Sequence, residues 1–273
     1  MKKRILVTGA SGFAGKCLSN YLIKKKIKVT RIVFKNKSNI KDKKIDLTKV
    51  IKLKSNFDWI IHAAAHHKIS DFKKSAKIKY KKNILMVKNL INFSKKKNIN
   101  NFIYFSTIDA NYSTYPIKKN IYIKSKVFCE KMLLLALKKR IFKKVIILRL
   151  PAIVGKKSND NFIKETLKNL KKNKPIKVWN KNSNFNNLIH IDDLNKLIFH
   201  FISKKNKKNK IFIDCLSSKS IQLSKIIFFL KKKLKSKSKI NFLSSEEKFK
   251  KIQFHPISNY KFFTVKKALN LLI

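Results

Sequence analysis

Two hydrophobic periods alternate along the first half of the chain. Short apolar runs rich in β-branched residues predict buried strands at residues 5–8, 29–34, 59–63, 102–105 and 145–150. Between them, apolar residues recur every three or four positions, which predicts helices from residue 13 onward and at residues 48–54, 75–97 and 122–139. Strands that alternate with helices are typical of a parallel sheet covered on both faces, so the pattern predicts a doubly wound α/β fold.

The pattern becomes less regular after residue 151. It predicts helices at residues 161–172, 192–203, 220–234 and 265–271, with short strands at residues 176–179 and 210–213. We therefore expect a sheet domain over residues 1–155 and a smaller mixed lobe over residues 156–273.

The net charge of +55 would usually indicate a nucleic-acid partner, because 68 basic residues face only 13 acidic ones. Only four of the basic residues are arginine, however, and Lys, Asn, Ile and Phe all have A/T-rich codons, so the bias fits an A/T-rich genome. The lysines are spread over the whole chain, and 44% of the residues are hydrophobic, enough to build a core. The sequence predicts no specific nucleic-acid partner.

Three cysteines stand far apart, at Cys17, Cys129 and Cys215, which favours neither a disulfide framework nor a CxxC metal site. His62, His66 and His67 lie close together, but no carboxylate or cysteine nearby supplies a further zinc ligand, so we predict no metal. The basic N-terminus has only a short apolar run, and no stretch reaches the ~18 apolar residues of a membrane span. We expect a cytoplasmic protein without a membrane span.

The strongest chemical signal is a glycine turn between the first strand and the first helix. The segment TGASGFAG holds three of the four glycines of the chain. Glycines at such a turn allow the backbone to approach a pyrophosphate, and the amides of the helix N-terminus face the anion. The turn predicts a dinucleotide site; the alternative is a tight turn without a ligand. Its predicted binding residues are Gly9, Ser11, Gly12, Phe13 and Gly15.

This turn resembles the TGxxGxxG turn of the extended short-chain dehydrogenase/reductase superfamily, the NAD-dependent epimerase/dehydratase family. The resemblance extends over about residues 3–194 through further segments in the same order: Asp46-Leu47, Ile60 to Ala65, Asn83, Phe105-Ser106-Thr107, Tyr122 to Lys126, Arg149 to Gly155 and His190 to Asp193. It implies a Rossmann-type fold with a small C-terminal substrate lobe, and an enzyme that uses NAD or NADP.

The resemblance also implies a role for residues outside the glycine turn. The further cofactor-binding residues are Asp46, Leu47, Ala63, Ala64, Ala65, Asn83, Tyr122 and Lys126. The catalytic residues are Thr107, Tyr122 and Lys126. The substrate-binding residues are His66, Ser106 and Asn187, with Ser106 as second choice for the hydroxyl role of Thr107.

A Tyr-x-x-x-Lys spacing occurs three times, so the spacing alone selects no pair: Tyr21/Lys25, Tyr115/Lys119 and Tyr122/Lys126. The first pair lies within the first helix, and Pro116 disfavours helix at the second. Tyr122 follows the Ser-Thr strand end and starts a helix, so it is the predicted acid/base. An ammonium one turn away, together with a cationic nicotinamide ring, is expected to favour its phenolate form.

The choice between NAD and NADP depends on Lys35. In NAD enzymes an acidic residue about 20 positions after the glycine turn binds the ribose 2′-hydroxyl. This chain has Lys35 there, which favours NADP without excluding NAD.

The family resemblance implies a nucleotide-sugar epimerase or 4-keto reductase that serves polysaccharide biosynthesis. A dehydratase of the known kind would have Asp-Glu directly after the threonine, whereas Thr107 is followed by Ile108-Asp109. Two alternatives stay open. One is a reductase of a non-nucleotide carbonyl compound, because residues 181–187 lack the arginine that usually lies near the substrate diphosphate. The other is a nonenzymatic nucleotide- or polyanion-binding protein. A homodimer through helices at residues 83–97 and 127–137 is also implied.

Overall fold

The computed structural model describes residues 3–34, 42–66, 75–110, 121–204, 208–243 and 260–273. The chain forms two compact units. The first comprises Met1–Arg149 and Ile198–Ile213, and the second comprises Leu150–Leu197 and Asp214–Ile273. The segment 198–213, which the sequence-based boundary places in the C-terminal lobe, thus belongs to the first unit.

The first unit is built on a parallel sheet. Its strands within the described residues are β1 (Arg4–Thr8), β2 (Lys28–Val33), β3 (Lys43–Lys44), β4 (Trp59–His62), β5 (Asn101–Thr107), β6 (Lys144–Leu150) and β11 (Lys210–Asp214). Their order in the sheet is β11-β6-β5-β4-β1-β2-β3. The strand β1 pairs in parallel with β2 on one side and β4 on the other, so the chain order reverses there. The predicted α/β fold class is confirmed.

Three helices of the first unit connect these strands: α1 (Phe13–Lys24), α2 (Ser75–Lys97) and α3 (Ile121–Lys138). The helices α2 and α3 pack on each other over a core that includes Phe102 and Tyr104 of β5 and Leu133 of α3. This packing fixes α3 against the sheet, with its first turn near the carboxyl end of β5. Among the described helices, none combines the length with the hydropathy that a membrane-spanning segment requires.

The second unit has short strands and helices around its own apolar core. Its strands are β7 (Ala152–Val154), β8 (Ile176–Trp179), β9 (Asn184–Phe185), β10 (Leu188–His190), β12 (Ile221–Gln222) and β13 (Ile240–Leu243). Its helices are α4 (Phe162–Lys171), α6 (Leu223–Lys233) and α7 (Val265–Asn270), while α5 (Ile191–Ser203) runs from this unit into the first. The buried Asp193 accepts hydrogen bonds from the Tyr260 hydroxyl and the Phe263 N–H, which anchors the C-terminal segment.

The prediction of a helix at residues 48–54 is wrong. The structure has only a turn at residues 47–49. The carboxylate of Asp46 accepts hydrogen bonds from the backbone N–H and the hydroxyl of Thr48, at 2.9 and 2.7 Å. Such bonds give the backbone an alternative to helical hydrogen bonding, and they favour a turn. The Asn89 amide of α2 then donates to the carbonyl oxygens of Leu47 and Lys49 and holds the turn in place.

Candidate active site

The glycine turn lies where β1 ends, at the position where ligands bind in open α/β sheets. Gly9 has a φ of +68°, and a Cβ on it would lie 2.7 Å from the backbone nitrogen of Ala64. Only glycine fits that conformation and that close contact. The contact brings the glycine turn and the predicted residues Ala63 and Ala64 together at the ends of adjacent strands.

The N-terminus of α1 is suited to an anion. Gly12 is the N-cap and has no side chain to occupy the first amides, and Ser11 and Gly12 are exposed. The first turn of α1, all of which is described, contains no acidic residue. A Cβ on Gly15 would overlap the Gly9 carbonyl oxygen, so glycine at this position lets the helix approach the turn. Free amides at the positive end of a helix are a general binding site for phosphate groups.

Gly9 and Gly12 give a matched pair for testing the turn. We expect Gly9→Ala to lower the free energy of unfolding by about 1–3 kcal/mol, because its Cβ meets backbone atoms. We expect Gly12→Ala to lower it by about 1 kcal/mol or less, because its nearest neighbour would be 3.3 Å away at a negative φ and the main loss is that of a better N-cap residue. Urea unfolding without nucleotide measures both. Equal stabilities would contradict the close approach of Gly9 to Ala64.

Asn83 of α2 joins two parts of the site. Its side chain accepts a hydrogen bond from the His66 N–H and donates to the His66 carbonyl oxygen, which fixes the loop that follows β4. The same amide donates to the Ser125 hydroxyl at 3.2 Å, and that hydroxyl donates to the Tyr122 carbonyl oxygen at 2.7 Å. The predicted residue Asn83 thus connects the loop of Ala63–His66 to the first turn of α3. The ring of His66 contacts Phe34.

Tyr122 and Lys126 lie on one face of α3, near the carboxyl end of β5. The Lys126 ammonium is 5.7 Å from the centre of the Tyr122 ring and donates to the Phe105 carbonyl oxygen at 2.6 Å. Burial lowers the pKa of Lys126 to about 8. Burial, and then the negative charge of Asp109, raise the pKa of Tyr122 to about 12. In the chain by itself, therefore, the phenol is protonated at neutral pH. The prediction that Lys126 and a cationic nicotinamide ring together favour the phenolate concerns the protein with its nucleotide bound, and it stays a prediction.

The two hydroxyls at the end of β5 have different partners. Thr107 donates to the Asp109 carboxylate at 3.0 Å. Ser106 donates to Glu130, which also holds the Arg149 guanidinium through both carboxylate oxygens at 3.2 and 2.8 Å. Ser106, the second choice for the catalytic hydroxyl, is thus held in a buried network that ties β5, α3 and β6 together.

A buried layer of side chains supports the ammonium of Lys126. The Thr8 hydroxyl lies 2.7 Å from Nδ1 of His62, and the His62 ring stacks on Tyr104. The ring of Tyr104 in turn lies 4.8 Å from the Lys126 ammonium. Burial and the charge of Lys126 lower the pKa of His62 to about 3, so this imidazole is neutral at neutral pH. His62 therefore serves as a packing and hydrogen-bonding group beneath the site.

The remaining predicted residues lie at the edges of the site or in the second unit. The hydrogen bond from the Thr48 hydroxyl is the main cause that lowers the pKa of Asp46, so its carboxylate is ionised at neutral pH. Leu47 beside it is buried. Lys35 lies outside the described residues. Asn187 precedes β10 in the second unit, and its side-chain oxygen is buried without a hydrogen-bond partner among the described residues.

Sequence reasoning missed Glu130 and Asp109 as parts of the site. A signal existed for Glu130: it is the only acidic residue of α3, within the apolar run FCEKML of a chain with only 13 acidic residues. In the sequence, Asp109 differs from its neighbours only as a departure from the dehydratase pattern. Within the described residues, no group of three or more His, Cys, Asp or Glu side chains is arranged to hold a metal ion.

Several solved structures share this fold. UDP-glucose 4-epimerase from Thermotoga maritima, solved with UDP-glucose, has a TM-score of 0.78 at 14% identity and covers 98% of this chain and 97% of its own. UDP-glucose 4-epimerase from Thermus thermophilus, in complex with NAD, has a TM-score of 0.69 at 13% identity. The match covers 98% of this chain and 92% of the epimerase chain. RMD from Pseudomonas aeruginosa, complexed with NADPH, has a TM-score of 0.76 at 17% identity. The match covers 99% of this chain and 98% of the RMD chain.

No curated protein matches the sequence significantly. The family model described as "NAD dependent epimerase/dehydratase family" matches residues 5–213, well over half of the chain. That span contains the glycine turn, the Asn83 connection and the Tyr122 and Lys126 pair. This chain therefore belongs to the NAD-dependent epimerase/dehydratase family.

Proposed function

We propose that this protein is an NAD(P)-dependent enzyme acting on a nucleotide-activated sugar, as an epimerase or a 4-keto reductase. The observation that carries the proposal is the arrangement of Thr107, Tyr122 and Lys126 at the carboxyl end of β5. The neighbouring strand β4 ends in the loop of Ala63–His66, and β1 on the far side of β4 ends in the glycine turn. UDP-glucose in one structural neighbour, and NAD or NADPH in others, support this class of substrate and cofactor.

The chain's residues fit a dinucleotide. The backbone amides of Ser11 and of the first turn of α1 would hold the pyrophosphate, while Asp46 and Leu47 would lie at the adenine. The Gly12 N–H already donates to the Gly9 carbonyl oxygen at 3.0 Å and would shape the turn rather than bind the phosphate. The ammonium of Lys126 would hold the hydroxyls of the nicotinamide ribose. A bound nicotinamide nucleotide supplies the carbon that accepts or gives the hydride.

The protein groups would handle the proton that accompanies the hydride. As a phenol, Tyr122 donates its proton to the substrate oxygen when a carbonyl is reduced; as a phenolate, it removes the proton when an alcohol is oxidised. Lys126 stabilises the phenolate by its charge. The Thr107 oxygen positions the substrate oxygen through a hydrogen bond.

The first experiment is to denature the purified protein and identify any released nicotinamide nucleotide by chromatography and mass spectrometry. Retained NAD favours an epimerase, because an epimerase regenerates its cofactor within each cycle. A protein that is empty but thermally stabilised by NADPH favours a reductase. A protein that is empty and stabilised by neither NAD nor NADPH would overturn the enzyme proposal and favour a nonenzymatic role.

A reductase of a non-nucleotide carbonyl compound is the second candidate. It is favoured by the segment 181–187, which contains Lys181 but no arginine for two-point binding of a substrate diphosphate. Conversion of UDP-galactose to UDP-glucose, or reduction of a UDP-4-keto sugar, would exclude it. NADPH oxidation with simple ketones but with no nucleotide sugar would support it.

Among the described residues, the side-chain oxygen of Asn187 has no hydrogen-bond partner, which supports its predicted role in substrate binding. A buried polar atom without a partner costs roughly 1–3 kcal/mol, which a donor from a ligand would recover. We propose that a hydroxyl or N–H of the substrate donates to this oxygen.

We also propose a homodimer that uses a heptad stripe, defined as Ile78 and Leu85 on α2 with Ile121, Phe128 and Leu135 on α3. All five side chains are exposed, and within each helix they are seven residues apart. Apolar positions at a spacing of seven line one face of a helix and favour helix pairing between chains. Pairing with a second copy of the chain would bury the heptad stripe of each protomer.

The double variant Phe128→Lys and Leu135→Lys is expected to convert the dimer to a monomer, because both side chains are about half exposed in the single chain. Light scattering measures the mass. The matched control is Ile23→Lys on α1, which replaces a similarly exposed residue outside the heptad stripe. A wild-type protein that is monomeric at working concentration would exclude the dimer.

A further inference from the structure

A buried arginine of β2 contacts the backbone of the glycine turn. Arg31 lies within β2, and its side chain is only 7% exposed. Its Nη2 donates a hydrogen bond to the Ala10 carbonyl oxygen at 3.2 Å. The N–H of Ala10 donates to the Ile32 carbonyl oxygen at 3.1 Å. The strand β2 therefore holds both backbone polar groups of this turn residue.

The carboxylate of Asp42 holds the guanidinium in its place. Asp42 directly precedes β3, its side chain is inaccessible, and its Oδ1 lies 3.2 Å from Nε of Arg31. Nε and Nη2 are different nitrogens of one planar group, so the two contacts together fix the orientation of the guanidinium. Because this group is buried and ion-paired, we expect it to act on a ligand through Ala10 rather than by direct contact.

The peptide between Ala10 and Ser11 connects this contact to the candidate pyrophosphate site. No peptide bond of the described residues is cis, so the Ala10 carbonyl and the Ser11 N–H point in opposite directions across a planar group. A carbonyl held on the side of Arg31 therefore directs the Ser11 N–H to the other side. Ser11 is exposed, and within the described part of the chain its N–H has no hydrogen-bond acceptor.

We propose that Arg31 is a positioning residue of the dinucleotide site: it holds the Ala10 carbonyl oxygen and thereby directs the Ser11 N–H towards the pyrophosphate. This inference deepens the proposed function and rests on it for the identity of the ligand. Without the guanidinium the peptide is held less firmly, and its rotation turns a carbonyl oxygen towards the anion. The pyrophosphate is common to NAD and NADPH, so the contribution of Arg31 is the same for both nucleotides.

The test removes the hydrogen bond to Ala10 without leaving a buried charge. The double variant Arg31→Met and Asp42→Leu replaces the ion pair by apolar side chains, a change that is often neutral or stabilising. The control is Leu230→Ala, because Leu230 is buried in the core of the second unit and its truncation lowers stability outside the glycine turn. Amide spectra and thermal unfolding show that each variant is folded. Calorimetric titration gives the Kd of NAD and of NADPH.

In the double variant we expect the Kd of NAD and the Kd of NADPH to rise equally, by about tenfold or more, because the lost hydrogen bond has a charged donor. Leu230→Ala should leave both constants within about a factor of two, since effects at distant sites are independent. A folded double variant with unchanged Kd values overturns the proposal. A rise confined to NADPH also overturns it, because Arg31 would then act on the 2′-phosphate.

A second readout needs no nucleotide. The order parameter of the Ser11 N–H, from ¹⁵N relaxation, is about 0.85 for rigid backbone and below about 0.6 for flexible backbone. We expect this N–H to be rigid in the wild type and in Leu230→Ala, and flexible in the double variant. Equal rigidity in all three proteins overturns the role of Arg31 whatever the ligand. A wild type that binds neither NAD nor NADPH overturns the proposed function instead, so the two failures are distinguishable.

Discussion

Replacing Tyr122 by phenylalanine is expected to lower the rate of hydride transfer about 10²–10⁴-fold, the usual contribution of a positioned acid or base. The ring remains and still packs near the Lys126 ammonium, so only the titrating hydroxyl is lost. The rate is measured as the change in nicotinamide absorbance with the nucleotide sugar or ketone that the wild-type protein accepts. Thermal stabilisation by NAD or NADPH should stay close to that of the wild type, because the glycine turn and Lys126 are unchanged.

Tyr21→Phe is the matched control for this prediction. Tyr21 and Lys25 have the same spacing as Tyr122 and Lys126, and nearly the same ring-to-ammonium distance, 5.9 Å. Tyr21 packs against Phe199 in the first unit, whereas Lys25 is exposed. We expect Tyr21→Phe to leave the rate within about a factor of two. Similar losses in both variants would contradict the assignment of Tyr122 as acid/base.

Glu130→Ala is expected to lower the free energy of unfolding by about 3–5 kcal/mol, the usual cost of removing one partner of a buried ion pair. Glu130 is nearly inaccessible, and its carboxylate accepts hydrogen bonds from Ser106 and from two nitrogens of Arg149. Alanine would leave the Arg149 guanidinium without this partner and the Ser106 hydroxyl without its acceptor. Urea unfolding of the wild type and the variant measures the difference.

The control is Asp160→Ala, which breaks the ion pair between Asp160 and Lys164. The side chain of Asp160 is 97% exposed, so water replaces the lost partner and we expect no measurable change in stability. A loss in Glu130→Ala of less than about 1 kcal/mol would show that the Ser106, Glu130 and Arg149 network does not hold β5, α3 and β6 together.

Local patterns along the sequence predicted most elements of the fold. The helix at residues 75–97 and the strand at residues 176–179 have the same bounds in the structure, as α2 and β8. Side chains on one face recur about every 3.6 residues in a helix and every 2 residues in a strand, and both periods follow from backbone geometry alone. The helix predicted at residues 48–54 failed because periodicity does not account for a side chain such as Asp46, which captures the backbone of its neighbours.

The position of the candidate site was also predictable, since it depends on two local signals. Three glycines cluster in one turn of a chain that has only four, and Tyr122 follows a strand end by a short loop. Those signals did not reveal the partners of the site residues. Glu130 is 24 residues from Ser106 and 19 from Arg149, and these three meet only because β5 and β6 are neighbours in the sheet.

The sequence by itself determined the alternation of strands and helices, the glycine turn and the spacing of Tyr122 and Lys126, because each depends on residues close together in the chain. Only the tertiary structure decided the surroundings of the two lysines: it buries the Lys126 ammonium against the Phe105 carbonyl oxygen and leaves Lys25 exposed. It also decided the ionisation of Tyr122. The reason is physical: burial and, to a smaller extent, the charge of Asp109 raise the pKa of the Tyr122 phenol, and both depend on the packing around α3 rather than on residues adjacent in the chain.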